Sequence, residues 1–495
     1  MSEIINIRKK NEVYLEIDTS PSIAQELNDH FSFEVPGAKF HPLYRSRMWD
    51  GKVKLFSMFT KELYVGLKDY VEKFAKERDY LVDTSEYVKT ADECTMESVA
   101  KFCKELNISS KGEPIEIRDY QIEAVYQAIH DGRRLLLSPT GSGKSLIIYC
   151  LVRWHEQFDR RQLVIVPTTS LVEQLYSDFR DYSGLNGWRT SINCHRIYGG
   201  HEKSNEFPVV ISTWQSLYKL PKQFFADFKA IYGDEAHLYK AKSLTGILNK
   251  CSTAPYRVGT TGTLDGLQTH KLVLEGLFGP VYKVTTTKKL IGSKTLADLQ
   301  IYNLILEYND EIKKALKGKT YPEEMDFLVQ FEPRNKFIRN LALKQIGNTL
   351  VLFQYVEKHG KPLYEMISTK AGERKVFFVY GGTDTDQREE IRRLTELEKD
   401  AIIVASYGTF STGINIKNLH NIIFASPSKS RVRNLQSIGR GLRTSDTKDK
   451  CNLYDIGDDL TWKSKKNYTL LHMIERIKIY NDEHFDYKLL RIPLQ

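Results

Sequence analysis

Arg134–Trp154 reads RLLLSPTGSGKSLIIYCLVRW. A short apolar run, then SPTGSGKS (Ser138–Ser145), then a helical run is the order that a phosphate-cradling loop requires. Gly141 and Gly143 allow backbone N–H groups to close around phosphate oxygens. Lys144 then reaches the β- and γ-phosphates, and Ser145 offers a hydroxyl to Mg2+. The start of the following helix adds a favourable dipole. Ser138 stands where the strict pattern has glycine, and Pro139, Thr140 and Ser142 complete the loop.

The same rhythm continues outward. Apolar strands RLLLS (134–138), QLVIVP (162–167), VVIST (209–213), AIYGD (230–234) and YRVGT (256–260) alternate with helical segments. A second series has TLVLF (349–353), KVFFVY (375–380), AIIVAS (401–406) and NIIFAS (421–426). Continuous apolar strands separated by helices predict an α/β fold, with parallel sheets covered on both faces. The polar stretch TTTKKLIGSKTLADLQ (285–300) reads as a hinge between two such domains. Residues 1–95 are expected to form a small α+β domain, 96–282 and 283–455 the two α/β domains, and 456–495 a helical tail. In the first of these, Ser20 and Pro21 mark a helix start, and TKELYVGLKDYVEKFAKERDY has helical spacing weakened by Gly66.

Composition narrows the class. The chain has 495 residues and a formal charge of +9, which suits a polyanionic partner. Its six cysteines show neither CxxC nor zinc-like spacing and read as reduced thiols. MSEIINIRKK lacks an apolar signal segment, and no apolar run is long enough to span a bilayer. A cytoplasmic protein with no membrane partner is the expectation.

Two further clusters carry chemistry. Asp234-Glu235-Ala236-His237 follows the strand AIYG, where the carboxyl end of a parallel strand places a Mg2+-holding Asp. Glu235 beside it could orient and deprotonate an attacking water. Taken alone, such acidic pairs are commonly only solvated. QSIGRGLR (436–443) sets Arg440 and Arg443 three residues apart, on one face if the turn is helical. Arginines of this kind stabilise the charge of phosphoryl transfer. With a phosphate loop in the first α/β domain and none in the second, ATP is expected between the two.

These residues resemble the motif series of superfamily 2 helicases, over about 115–445. IRDYQ (117–121) is similar to the adenine-recognition motif, with Arg118 and Gln121 as readers. SPTGSGKS and DEAH resemble motifs I and II, VPTTSLVEQ (166–174) motif Ia, and YGG (198–200) and STWQSL (212–217) the strand-contact motifs. GTTGT (259–263) resembles motif III, LVLFQYVEKHG (350–360) motif IV, and YGGTDTDQRE (380–389) the motif after it. ASYGTFSTGINI (405–416) is similar to motif V, placing Gly413 near nucleotide, and QSIGRGLR to motif VI. The resemblance implies two tandem RecA-like domains, ATP and Mg2+ as cofactors, and catalytic roles for His237 and Gln436 beside the residues above. It also implies Thr168, Thr169, Ser212, Thr213, Ser406 and Thr409 as phosphate-gripping residues, although each type equally suits a cap or turn. Asn415 and Leu264 depart from the usual Asp and Pro, and motif VI has one Gly fewer than in DEAH RNA helicases. WDGKVKLF, GINIKNLHNIIFASPSKS and YDIGDD with KSKKNYTLLHMIERIKIYN resemble bacteriophage recombination helicases. That implies a monomeric motor on forked, D-loop, R-loop and Holliday-type DNA, including RNA–DNA hybrids, in recombination, repair and replication restart. Strand annealing and recombination or single-strand-binding protein partners come with it. An RNA helicase, or an annealing protein whose ATPase switches affinity, stays open as an alternative.

KFHPLYRSRMWDGKVKLF (Lys39–Phe56) is a separate puzzle. Asp50-Gly51 predicts a two-residue hairpin. Folded there, Arg45, Arg47, Trp49, Lys52 and Lys54 share one face, with Arg47 opposite Lys54. Tyr44, Met48, Val53 and Leu55 form a core face. Like charges opposed destabilise a sheet, so the basic face is expected to meet nucleic-acid phosphate, with Trp49 stacked or wedged. A solvated face with Trp49 under long side-chain stems is the bland counterpart.

Overall fold

Apolar runs from the sequence become the strands of two seven-stranded sheets. The computed structural model describes residues 3–35, 37–199, 206–239, 242–413, 416, 418–428, 430–443 and 448–494, without the side chains at 242, 385, 386, 388, 389, 396, 411–413 and 432. Gly200 and Asn415, singled out above, lie outside the described residues. The chain divides into two units, Met1–Ser138 with Gly143–Val284, and Pro139–Ser142 with Thr285–Gln495.

In the first unit the large sheet runs Cys194–Ile197, Val209–Thr213, Arg161–Val166, Phe228–Gly233, Tyr256–Thr261, Arg133–Leu137, Val281–Lys283. Every pairing in it is parallel. Its strands bury both faces. Leu135, Leu163 and Ile165 enter one apolar cluster, while Leu136, Val164 and Val166 enter the other. That is why the strands read as unbroken apolar runs. The strands ending at Leu137 and Gly233 flank Tyr256–Thr261, so the phosphate loop and Asp234 both leave the carboxyl edge of the sheet.

The N-terminal part is a four-stranded sheet, ordered Glu62–Tyr64, Tyr14–Asp18, Ile4–Lys9, Leu81–Asp83. Helices Pro21–His30 and Lys68–Lys76 supply Ile23, Leu27, Val71 and Phe74 to its core. Ser20 caps the first of these, as expected. The segment expected as one helix from Thr60 instead begins as the strand Glu62–Tyr64. This core takes in Leu272 from helix Gln268–Phe278 of the α/β domain. Tyr70 donates its hydroxyl to Glu275 Oε2 at 2.6 Å. Gly66, which looked like a weak point in a helix, has a positive reason here: a Cβ on it would stand 1.9 Å from the Glu275 carbonyl oxygen. Gly66→Ala is expected to cost about 1–3 kcal/mol by forcing the two surfaces apart. Denaturant unfolding measures it, and an unchanged midpoint would mean that the contact opens at no cost.

The second unit has the order Val376–Val379, Ile402–Ser406, Thr349–Phe353, Asn421–Phe424, Lys450–Asp459, Asp298–Glu307, Tyr487–Pro493. It too is parallel throughout. The stretch read as a hinge forms helix Thr287–Gly292, capped by the Thr286 side chain, and then the start of strand Asp298–Glu307. The tail read as helical holds helix Tyr468–Asp482 and also the edge strand Tyr487–Pro493. The expected boundary at 455/456 falls inside strand Lys450–Asp459. The tail is tied in by buried Arg476, whose guanidinium meets Asp455 at 2.7 Å and the Ser428 carbonyl at 3.1 Å. All six cysteines are free thiols. Among the described residues no helix is long and apolar enough to cross a membrane.

Candidate nucleotide and nucleic-acid sites

The loop after Leu137 is locked locally. Gly141 and Gly143 have φ of 84° and 85°, a conformation that side chains resist. Gly143 caps helix Lys144–Glu156. A Cβ on Gly143 would stand 2.2 Å from Gln121 Nε2, so the buried Gln121 presses directly on the loop. Gln121 Oε1 in turn accepts from Arg118 N at 3.0 Å, and Arg118 Nη1 donates to Tyr120 Oη at 3.3 Å. Inside the loop, Ser142 Oγ donates to Pro139 O at 2.6 Å. Ser138 N donates to Thr261 O at 2.8 Å, and Lys144 Nζ to Ser138 O at 3.4 Å. Thr140 is half-buried. The Ser145 hydroxyl lies 2.8 Å from that of Tyr182.

Asp234 N donates to Ile165 O at 3.0 Å, and its Oδ1 accepts from Thr260 Oγ1 at 2.7 Å. Burial, and then the neighbouring Glu235, push the Asp234 carboxyl up, while Lys144 and Thr260 pull it down. Two carboxyls crowded beside one lysine are hard oxygen donors short of positive charge. Together with the Ser145 hydroxyl they suit Mg2+, so the residues present fit that ion. Glu235 sits at φ 48°, a left-handed turn that carries the chain away from the sheet. His237 Nδ1 lies 3.0 Å from Thr261 Oγ1 and 3.3 Å from Glu235 Oε2. Thr261 Oγ1 gives its own proton to Thr263 O at 3.0 Å, so the imidazole proton belongs on Nδ1. The acidic tetrapeptide is thereby tied to GTTGT, a link that spacing alone did not show.

In the second unit, Gln436 and Arg440 lie four residues apart on helix Arg431–Gly441, so they share a face. Arg440 stacks over the Phe410 ring at 5.6 Å. Arg443 differs from expectation. Leu442 caps the helix, and Arg443 lies just beyond it, in a bridge with Leu296 and with its N donating to Arg440 O at 3.5 Å. Gly413 ends helix Tyr407–Gly413.

The hydroxyl residues expected on a strand divide by burial. Ser212 is fully buried and donates to Ile197 O at 2.8 Å. Thr213 and Thr409 are also buried, bonded to Ser216 and Ser406 at 3.1 and 2.8 Å. Thr168 caps helix Thr169–Tyr182 by accepting from Leu171 N at 3.3 Å. Thr169 opens that helix as an exposed residue, and Ser406 remains half-buried.

The Asp50-Gly51 hairpin does not form. Pro42 begins a short helix, Pro42–Arg45, capped by His41. Lys52–Lys54 pairs instead with Ser32–Glu34, setting Lys52 opposite Glu34 and Val53 opposite Phe33. Arg47 sits at φ 58° in a turn, far from a ladder with Lys54, and Lys54 binds Asp50 at 3.1 Å. The expected like-charge conflict is therefore absent, and Met48 and Tyr44 are not core. Met48 is 79 % exposed. What the region does present is Arg45, Arg47 and Lys52 in solvent, and Phe40 and Phe59 are exposed too, at 66 % and 96 %. Trp49 is fixed by its Nε1 bond to Lys52 O at 2.8 Å and an edge contact with His41. The exposure of Phe40 and Phe59 was not foreseen from the sequence.

Comparisons with known proteins converge. The family described as "DNA helicase UvsW, N-terminal" matches residues 4–84. "Type III restriction enzyme, res subunit" matches 114–266, and "Helicase conserved C-terminal domain" matches 333–445. The "ATP-dependent DNA helicase uvsW" of Enterobacteria phage T4 is 35% identical over 499 residues, covering 97% of this chain and 98% of the relative. The crystal structure of T4 UvsW covers 99% of this chain and 100% of its own, with 34% identity and a TM-score of 0.52. The "DNA 3'-5' translocase XPB2" of Sulfurisphaera tokodaii is 25% identical over 67% of this chain and 80% of that one. With the loop, the acidic turn and both RecA-like sheets on the same chain, this protein belongs to the UvsW family of superfamily 2 helicases.

Proposed function

We propose that this chain uses ATP hydrolysis to unwind or branch-migrate forked, D-loop, R-loop and Holliday-type DNA, and that it anneals strands. The observation that carries the reading is the likeness to T4 UvsW along the whole chain, its N-terminal domain included. As a member of this family the chain is an ATP-hydrolysing helicase. Backbone N–H groups of Thr140–Gly143 and the Lys144 ammonium hold the phosphates, and Gln121 and Arg118 read the adenine. Ser145 and Asp234 would hold Mg2+, which supplies neutralisation of phosphate charge when bound. Glu235 takes a proton from the attacking water, and His237 links that turn to Thr261. Gln436, Arg440 and Arg443 act on the charge that spreads over the γ-phosphate oxygens. Thr168, Thr169, Ser212, Thr213, Ser406 and Thr409 contact the strand, through backbone N–H groups where the hydroxyl is buried. The work belongs in a host-cell cytoplasm, by a monomer, beside recombination or single-strand-binding proteins.

ATPase stimulation by single-stranded, duplex, forked, four-way and RNA–DNA hybrid substrates tests this reading. Forked and four-way DNA should stimulate most. Equal stimulation by single-stranded RNA would overturn it.

The N-terminal cations and aromatics are assigned to the branched substrate because Arg45, Arg47, Lys52, Phe40 and Phe59 are each exposed. Replacing Arg45, Arg47 and Lys52 by Ala should weaken fork binding. It should also flatten the salt dependence by about 0.9 in log–log slope for each phosphate that is no longer neutralised. An unchanged affinity with an unchanged slope would sink the assignment.

A further inference from the structure

We infer that Tyr182 is a positioning residue for the nucleotide metal, acting through the Ser145 hydroxyl; this rests on the phosphate-loop reading above. The two hydroxyls lie 2.8 Å apart, though 37 residues separate them. Tyr182 is the last residue of helix Thr169–Tyr182, which packs beside helix Lys144–Glu156, with Ser145 in its first turn. Its ring is held against Tyr149 at 5.5 Å. Tyr149 is itself pinned at its hydroxyl by Arg153 Nη1 at 2.9 Å and Asn186 Nδ2 at 3.2 Å. The phenol is therefore a fixed point.

The chemistry follows from counting protons. A serine hydroxyl has one proton and two lone pairs. To serve a cation it must turn a lone pair inward, and its proton must go elsewhere. Tyr182 Oη is positioned to accept that proton. A phenol is neutral at working pH and has two lone pairs on its oxygen, so it keeps one for the serine. Without this acceptor the Ser145 proton can swing toward the cation and phosphate. A merely structural phenol would influence folding or nucleotide affinity in general. A positioning phenol influences only the part of affinity that depends on the metal.

Binding of a fluorescent N-methylanthraniloyl ATP to the full chain, with Mg2+ and with EDTA, separates these cases. Tyr182→Phe keeps the ring and removes one oxygen. It should weaken nucleotide binding in Mg2+ by about 3- to 10-fold, the scale of one hydrogen bond, and leave binding in EDTA within about twofold. In a Ser145→Ala background, Tyr182→Phe should add nothing further. Equal losses with and without Mg2+, no loss in Mg2+, or full additivity with Ser145→Ala would each overturn the inference. A failure of the phosphate-loop reading looks different: Lys144→Ala would then leave wild-type binding unaltered.

Discussion

Lys144→Arg is expected to lower DNA-stimulated ATP hydrolysis by about 10²–10³-fold, the scale of losing one preorganised charge donor. The substitution keeps a positive charge, so the loss comes from shape. Lys144 reaches back to Ser138 O at 3.4 Å within its own loop. A planar guanidinium does not fit the ammonium's place, and Gln121 pressing on Gly143 leaves the loop little room to widen. Lys144 is also the cation that pulls the Asp234 carboxyl down, and a displaced charge weakens that effect. Turnover at saturating ATP and fork DNA measures the result, alongside strand displacement and annealing. Unwinding should disappear with hydrolysis, while annealing, which needs no hydrolysis, should persist. Unwinding at the wild-type rate would mean that SPTGSGKS is not the phosphate loop.

The parts of the fold legible in the sequence were those where local pattern and long-range packing agree. Leu163–Val166 is apolar on both faces because both faces are covered, so its period is invisible but its run is plain. The failures have one physical origin, a non-local partner. Asp50-Gly51 does turn the chain, with Asp50 Oδ1 accepting from Lys52 N at 3.0 Å. The strand after the turn finds Ser32–Glu34, where Glu34 faces Lys52, rather than the residues just before it. Tyr487–Pro493 is an edge strand with mostly exposed residues, so nothing in its composition announces a sheet. Ser212 was chosen by motif, and its burial follows only from the fold. The Tyr182–Ser145 contact had no sequence signal, since its two halves belong to different helices.

Asp458→Ala is expected to destabilise the second unit by about 3–5 kcal/mol, the cost of leaving one buried charge without its partner. Arg334 and Asp458 are both fully buried. Arg334 donates from Nε to Oδ1 at 2.8 Å and from Nη2 to Oδ2 at 3.0 Å, a two-pronged bond. Tyr308 adds its hydroxyl to Oδ1 at 2.7 Å. Burial works against the guanidinium charge, and Asp458 with Tyr308 more than offsets that. Removing the carboxylate leaves a cation that cannot shed its proton in the protein interior. The exposed pair Lys336–Glu332 on the same helix is the control, since breaking it should cost less than about 1 kcal/mol. Because a chain of two units need not unfold in one step, the transition assigned to the second unit is the one to follow. Replacing both partners, Arg334→Met with Asp458→Leu, should recover most of the loss, because what destabilises is the orphaned charge rather than the missing bond. Equal effects for Asp458→Ala and Glu332→Ala would show instead that the interior relaxes enough to hydrate Arg334.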